Sequence, residues 1–164
     1  MKRSLCMCLA VLLFLGAVLP MATAVEAEFT TEPMIAAGQF STVALRGDGT
    51  VWMWGLGAEL TPTQVQGLSS IRAIAVGGGH TVVLRSDGTV WAWGSNRFGQ
   101  LGDGTRGHWS EEGEWISTDR GTPVQVLGPY GEGYLTNVTA IAAGSHHTVA
   151  LRSDGTVWAC VQFI

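Results

Sequence analysis

The chain has 164 residues, 46% hydrophobic and only 13% charged, with 13 acidic against nine basic side chains and a net charge of −4. That length allows one domain with a sizeable core. The acidic excess, with no basic run, argues against gripping a phosphate backbone, so no nucleic-acid partner is expected.

In chain order, the N-terminus is set apart first. Lys2 and Arg3 precede an apolar run from Leu5 to Leu19, Pro20 breaks it, and Ala22-Thr23-Ala24 has the small-x-small form of a signal-peptidase site. Residues 1–24 read as a secretory signal; the run of about 15 residues is shorter than the roughly 20 a membrane span needs, and no later segment is long enough. Cleavage after Ala24 removes the chain's only lysine along with Cys6 and Cys8. Cys160 is then the lone cysteine, and no intramolecular disulfide can form. Residues 25–34 form a leader, and the expected destination is the cell exterior or cell surface, with no membrane association after cleavage.

From residue 35 the chain repeats itself. Ile35–Gly55 reads "IAAGQFSTVALRGDGTVWMWG", Ile74–Gly94 "IAVGGGHTVVLRSDGTVWAWG" and Ile141–Cys160 "IAAGSHHTVALRSDGTVWAC". The lead glycines are Gly38, Gly77 and Gly144. "TPTQV" at Thr61 and "TPVQV" at Thr122 form a second shared element, so length variation falls in the connections, as in repeat folds.

Within each core, Asp48-Gly49, Asp87-Gly88 and Asp154-Gly155 suit a two-residue hairpin turn of type I′. The flanking β-branched and aromatic residues suit strands. That turn places Leu84 opposite Trp91 and Val82 opposite Trp93, Leu45 opposite Trp52 and Val43 opposite Trp54, Leu151 opposite Trp158 and Val149 opposite Cys160. Both faces are largely apolar, so each hairpin must be sandwiched between neighbours.

Read from Ala75 through Thr105, the second copy with its sisters strongly resembles the repeats of the regulator of chromosome condensation family. The resemblance implies an all-β fold of β-propeller blades, four strands each, in a seven-bladed ring. Residues 35–164 then amount to about two and a half blades, an incomplete arc whose exposed apolar faces invite self-association. Leu151 to Ala159 keep the repeat, but Cys160 stands where the other copies have Trp54 and Trp93, and Val161 where they have glycine. The expectation is a chain interrupted within a repeat, with a cavity at Cys160.

Few residues suggest chemistry. His80 and His147 share one repeat position, occupied by Ser41 in the first copy, which favours a structural role. "GGGH" at Gly77 and "GDGT" at Gly102 read as turns, because the second lacks the Lys-Ser/Thr of a phosphate loop. No catalytic, cofactor-binding or metal-ligating set is assigned. Arg46, Arg85 and Arg152 recur at the hairpin ends, where a guanidinium would cover the blade edge near a turn carboxylate or carbonyl; a positive binding ring at one face of the propeller is the less favoured reading. Asn137-Val138-Thr139 is a glycosylation sequon.

The one unrepeated stretch is the insert 106–121, in which His108, Trp109, Glu111, Glu112 and Trp115 are the candidate partner-binding residues. A solvated loop whose tryptophans fold back on the blade edge is the plainer alternative. The sequence supports a non-enzymatic scaffold that binds a protein partner through its blade loops. Two other readings stand: a carbohydrate-binding or adhesion module using both tryptophans as platforms, and nucleotide exchange on a small GTPase by family analogy. Secretion and acidity disfavour the last; secreted relatives that the resemblance brings in include β-lactamase inhibitors.

Overall fold

The computed structural model describes residues 31–55 and 59–160. The signal segment 1–24 and the expected break at Val161 lie outside the described residues.

Strands β1 (Met34–Ala37), β2 (Ser41–Leu45), β3 (Val51–Gly55) and β4 (Thr63–Gln64) form one antiparallel sheet in chain order. A second contains β5 (Ile71–Val76), β6 (His80–Arg85) and β7 (Val90–Gly94). The insert forms its own hairpin, β8 (His108–Trp109) and β9 (Trp115–Ile116), before β10 (Arg120–Gln125) returns to pair with β7. After a single 3-10 turn at Pro129–Gly131, β11 (Val138–Ala143), β12 (Thr148–Arg152) and β13 (Val157–Cys160) make a third, three-stranded sheet. These are two four-stranded blades and three strands of another: all-β, an incomplete propeller arc.

The hairpin turns differ from the expected type. Gly49, Gly88 and Gly155 have φ of 77°, 81° and 83°, whereas the aspartates before them are not in the left-handed region. Arg85 N–H donates to the Thr89 carbonyl and Gly88 N–H to the Arg85 carbonyl, so the loop is Ser86-Asp87-Gly88, a type I turn closed by a left-handed glycine. The extra loop residue slips the register by one. Leu84 faces Val90, Val83 faces Trp91, Val82 faces Ala92 and Thr81 faces Trp93; correspondingly Ala44 faces Trp52, Thr42 faces Trp54, Ala150 faces Trp158 and Thr148 faces Cys160. A one-residue slip re-sorts the faces: aliphatic Val82, Leu84, Val90 and Ala92 share one, and Val83 shares the other with both indoles. Gly88→Ala is expected to cost about 1 kcal/mol in urea unfolding, because alanine must hold a positive φ there.

Each turn is tied down by its own side chains. The Asp87 carboxylate accepts from Thr89 N (3.0 Å) and Thr89 Oγ1 (2.6 Å), and Trp91 Nε1 donates onward to Thr89 Oγ1. The same chain recurs at Asp48 and Asp154, and the threonine hydroxyl bonds hold all three carboxyls below their usual range. Arg85 and Arg152 close on Asp87 and Asp154 at 3.7 and 3.2 Å.

Blades stack with a fixed direction. Val43, Leu45, Val51 and Met53 of the first pack on Ile71, Ile74, Val83, Trp91 and Trp93 of the second. In turn Val82, Leu84, Val90 and Ala92 of the second pack on Val138, Ile141, Ala150, Trp158 and Cys160 of the third. Each fully buried Val or Leu contributes about 1.5–3 kcal/mol. Backbone bonds run the same way, from Ile71 N–H to Gly49 carbonyl and from Val138 N–H to Gly88 carbonyl. Gly77 is needed at the hub: a Cβ there would stand 2.5 Å from the Gly144 carbonyl oxygen and run into the His80 ring.

Candidate functional site

The loop after β7 is organised by one residue. Asn96 is fully buried, and its side-chain amide donates towards Asp103 Oδ1 (3.1 Å), Thr105 O and Oγ1 (3.1 and 3.0 Å) and Thr118 Oγ1 (3.2 Å). Its carbonyl accepts from Leu101 N, while its own backbone N–H donates to Asp119 Oδ1 at 2.7 Å. Arg120 clamps Asp103 at 2.8 Å. Burial pushes the Asp103 carboxyl up, but bonds from Thr105 and Arg120 outweigh it and leave its pKa below the usual value. Asn96 therefore ties the loop, both legs of the insert and the start of β10 into one node.

That node presents the insert. Trp109 faces Trp115 across the hairpin, with ring centroids 5.4 Å apart and planes at 71°. The hairpin repeats the blades' own turn chemistry: Ser110 N–H donates to the Glu114 carbonyl, Gly113 N–H to the Ser110 carbonyl, and Gly113 has φ 82°. Glu111 and Glu112 lie exposed in that turn, and His108 Nδ1 lies 3.3 Å from the Arg106 carbonyl. Trp115 lies back over Gly107, whose missing Cβ makes the room.

Trp115 folds back over Gly107 and Arg97 of the loop while staying 38% exposed, and Trp109 is 66% exposed. Three residues that the sequence left unmarked extend the array. The Arg97 guanidinium sits 5.1 Å from the Trp115 ring and 5.6 Å from Phe98, and Phe98 meets His146 of the third blade at 4.7 Å. Trp109, Trp115, Arg97, Phe98 and His146 thus form a continuous aromatic and cationic run spanning two blades. For the last three the sequence offered only an Arg-Phe pair in the long loop after the second core.

The two histidines at the repeat position part company. His80 is buried, with Nε2 3.0 Å from Thr148 Oγ1, and Thr148 Oγ1 donates to the Gln100 carbonyl at 2.8 Å. His147 is exposed. Cys160, half-buried at the Trp position, lies with its sulfur against Gly102, where a Cβ would stand 2.6 Å from it; burial pushes its thiol up to about 11.

A cleft of about 900 Å³ separates the first two blades, lined by Phe40, Met53, Thr81, Trp93, Asp119 and Arg120. It lies where the next junction seats Leu101 and Gln100 of the long loop that the first repeat lacks. Its Asp119 and Arg120 are already committed to the Asn96 node, so they are not free to hold a ligand. Among the described residues no three His, Cys, Asp or Glu side chains converge as a metal site.

Two models of the regulator of chromosome condensation (RCC1) repeat match, one over residues 87–151 and the other over 35–59 and 71–100, together more than half of the chain. The chain belongs to this family. Structural relatives agree on the fold. Yeast RCC1 (Prp20), in its crystal structure bound to Kap60, superposes with a TM-score of 0.59 at 22% identity, over 77% of this chain and 31% of its own. Human WBSCR16 gives 0.60 at 23%, over 80% and 33%. Prp20p from Saccharomyces cerevisiae, described with its binding properties to Gsp1p and histones, gives 0.55 at 28%, over 79% and 30%. The chain therefore spans about a third of the length of these solved structures. No curated protein matches it in sequence.

Proposed function

We propose that this chain is a secreted, non-enzymatic repeat scaffold that binds a protein partner through the insert hairpin and the loop beneath it. The carrying observation is the continuous run from Trp109 to His146. Trp and Arg dominate binding energy at protein interfaces, and here they stand on a rigid, fully hydrogen-bonded node that limits the ordering cost of binding. The edge-on Trp109–Trp115 pair favours a protein over a sugar, since stacking a pyranose requires an open ring face. The yeast relatives are described with protein partners, which supports the class of partner but not its identity.

Trp109→Ala is expected to weaken capture of a secreted partner at least tenfold while leaving the urea midpoint unchanged, because the ring is mostly solvent-facing. Undiminished capture by this variant would sink the reading, as would retention on a polysaccharide column that Trp109→Ala abolishes. For the compartment, the exported protein should begin at Val25 by N-terminal sequencing; an exported chain that retains Met1 would refute the signal assignment.

A further inference from the structure

The junctions inside the molecule specify a surface that its two outer blades still offer. In each junction the aliphatic face of one blade covers the indole-bearing face of the next. Repeat positions buried in the middle blade reappear exposed at the ends: Ile74 is 6% exposed but its counterpart Ile35 72%; Leu84 is 1% but Leu151 39%; Val90 is 0% but Val157 64%. The third blade therefore shows Val149, Leu151, Val157 and Ala159 where the second shows Val82, Leu84, Val90 and Ala92. At the other end the first blade shows Ile35, Ala44, Trp52 and Trp54 at the positions that receive such a face.

We propose that a second copy of this chain seats its first blade on the third blade of the first copy, reproducing the internal junction head to tail. One polar pair matches as the apolar groups do, although the Arg72 bonds to the Val138 and Thr139 carbonyls have no counterpart, since Thr139 stands at the Arg72 position. His80 meets Thr148 across the internal junction; His147 stands at the His80 position and Thr42 at the Thr148 position, so His147 of one copy meets Thr42 of the next. The His147 ring lies over Gly144 as the His80 ring lies over Gly77. The backbone repeats the match, since Ile71 N–H and Val138 N–H each donate to the turn glycine of the preceding blade, and Glu32 N–H is the repeat counterpart facing the Gly155 carbonyl. The apolar positions named on both faces carry no charge, and Glu32, exposed at the rim, is the one carboxylate beside them.

A head-to-tail contact uses two different surfaces, and that makes it separable by mutation. In sedimentation velocity the full chain is expected to associate. Val157→Arg and Ile35→Arg, each at a solvent-facing position, should each sediment as monomers with the wild-type circular dichroism spectrum. Mixed in equal amounts they should form a 1:1 dimer and nothing larger, because one copy keeps an intact third blade and the other an intact first. A monomeric wild-type chain overturns the proposal, as do single variants that associate like wild type or a mixture that stays monomeric.

Discussion

Replacing Asn96 by Ala should destabilise the chain by about 4 kcal/mol, read as the change in unfolding free energy from urea denaturation. The magnitude follows from what is stranded. The Leu101 N–H, which is buried, loses its acceptor, and a buried donor left unmade costs about 1–3 kcal/mol. Asp103, Thr105 and Thr118 lose a shared donor in a network whose members polarise one another, so the total should exceed the roughly 1 kcal/mol typical of an isolated bond. Thr118→Ala, which removes one acceptor at the edge of the node, should cost only about 1 kcal/mol. The near-ultraviolet circular dichroism of Trp109 and Trp115 should weaken in Asn96→Ala and not in Thr118→Ala, because only the former releases the base of the hairpin. Comparable losses in the two variants would show that Asn96 is an ordinary loop residue rather than the organising one.

How much of this could be read beforehand depends on whether a contact lies inside a repeat or between repeats. Gly38, Gly77 and Gly144, the Asp-Gly turns and the indoles recur at fixed offsets, so three copies of one sequence announce three copies of one blade. Turn type is subtler. Asp-Gly fits both a two-residue and a three-residue loop, and only the Arg85–Thr89 bond decides between them, so the register came out one residue away from expectation. What neighbours Cys160 was equally out of reach, because Gly102 comes from another blade's loop. The candidate site was half legible. Trp109 and Trp115 stood out because no blade needs them, and the turn "SEEGE" echoes "RSDGT" in its bonding. Arg97, Phe98 and His146 stayed hidden because Phe98 and His146 meet only after two blades have stacked. Asn96 looked like one polar residue of a loop; its weight comes from burial, which local sequence does not encode.

Acid should loosen the junction between the second and third blades before it touches the turns, and the group responsible is His80. Thr148 Oγ1 spends its proton on the Gln100 carbonyl, so it must accept from His80 Nε2–H; this assigns the neutral ring its proton at Nε2 and leaves buried Nδ1 with no partner. Protonating Nδ1 would bury a cation without an acceptor. Burial, helped by repulsion from His147 and His146, accordingly lowers the pKa from 6.5 to about 4. Above pH 6.5 the ring is neutral in both folded and unfolded chains and its stabilising contribution is complete. Between pH 6.5 and 4 the unfolded chain takes up a proton that the folded chain refuses, so stability falls as pH falls, by about 3 kcal/mol over the window. The turn carboxylates of Asp48, Asp87 and Asp154 are held below their usual range and lose their contribution only at still lower pH. Urea unfolding from pH 7 to 4 should show this slope in the wild-type chain. His80→Gln, which can still donate to Thr148 but has nothing to titrate, should start less stable at pH 7 and be flatter by about 3 kcal/mol across the window. A variant with the wild-type slope would place the acid sensitivity elsewhere and leave His80 as packing alone.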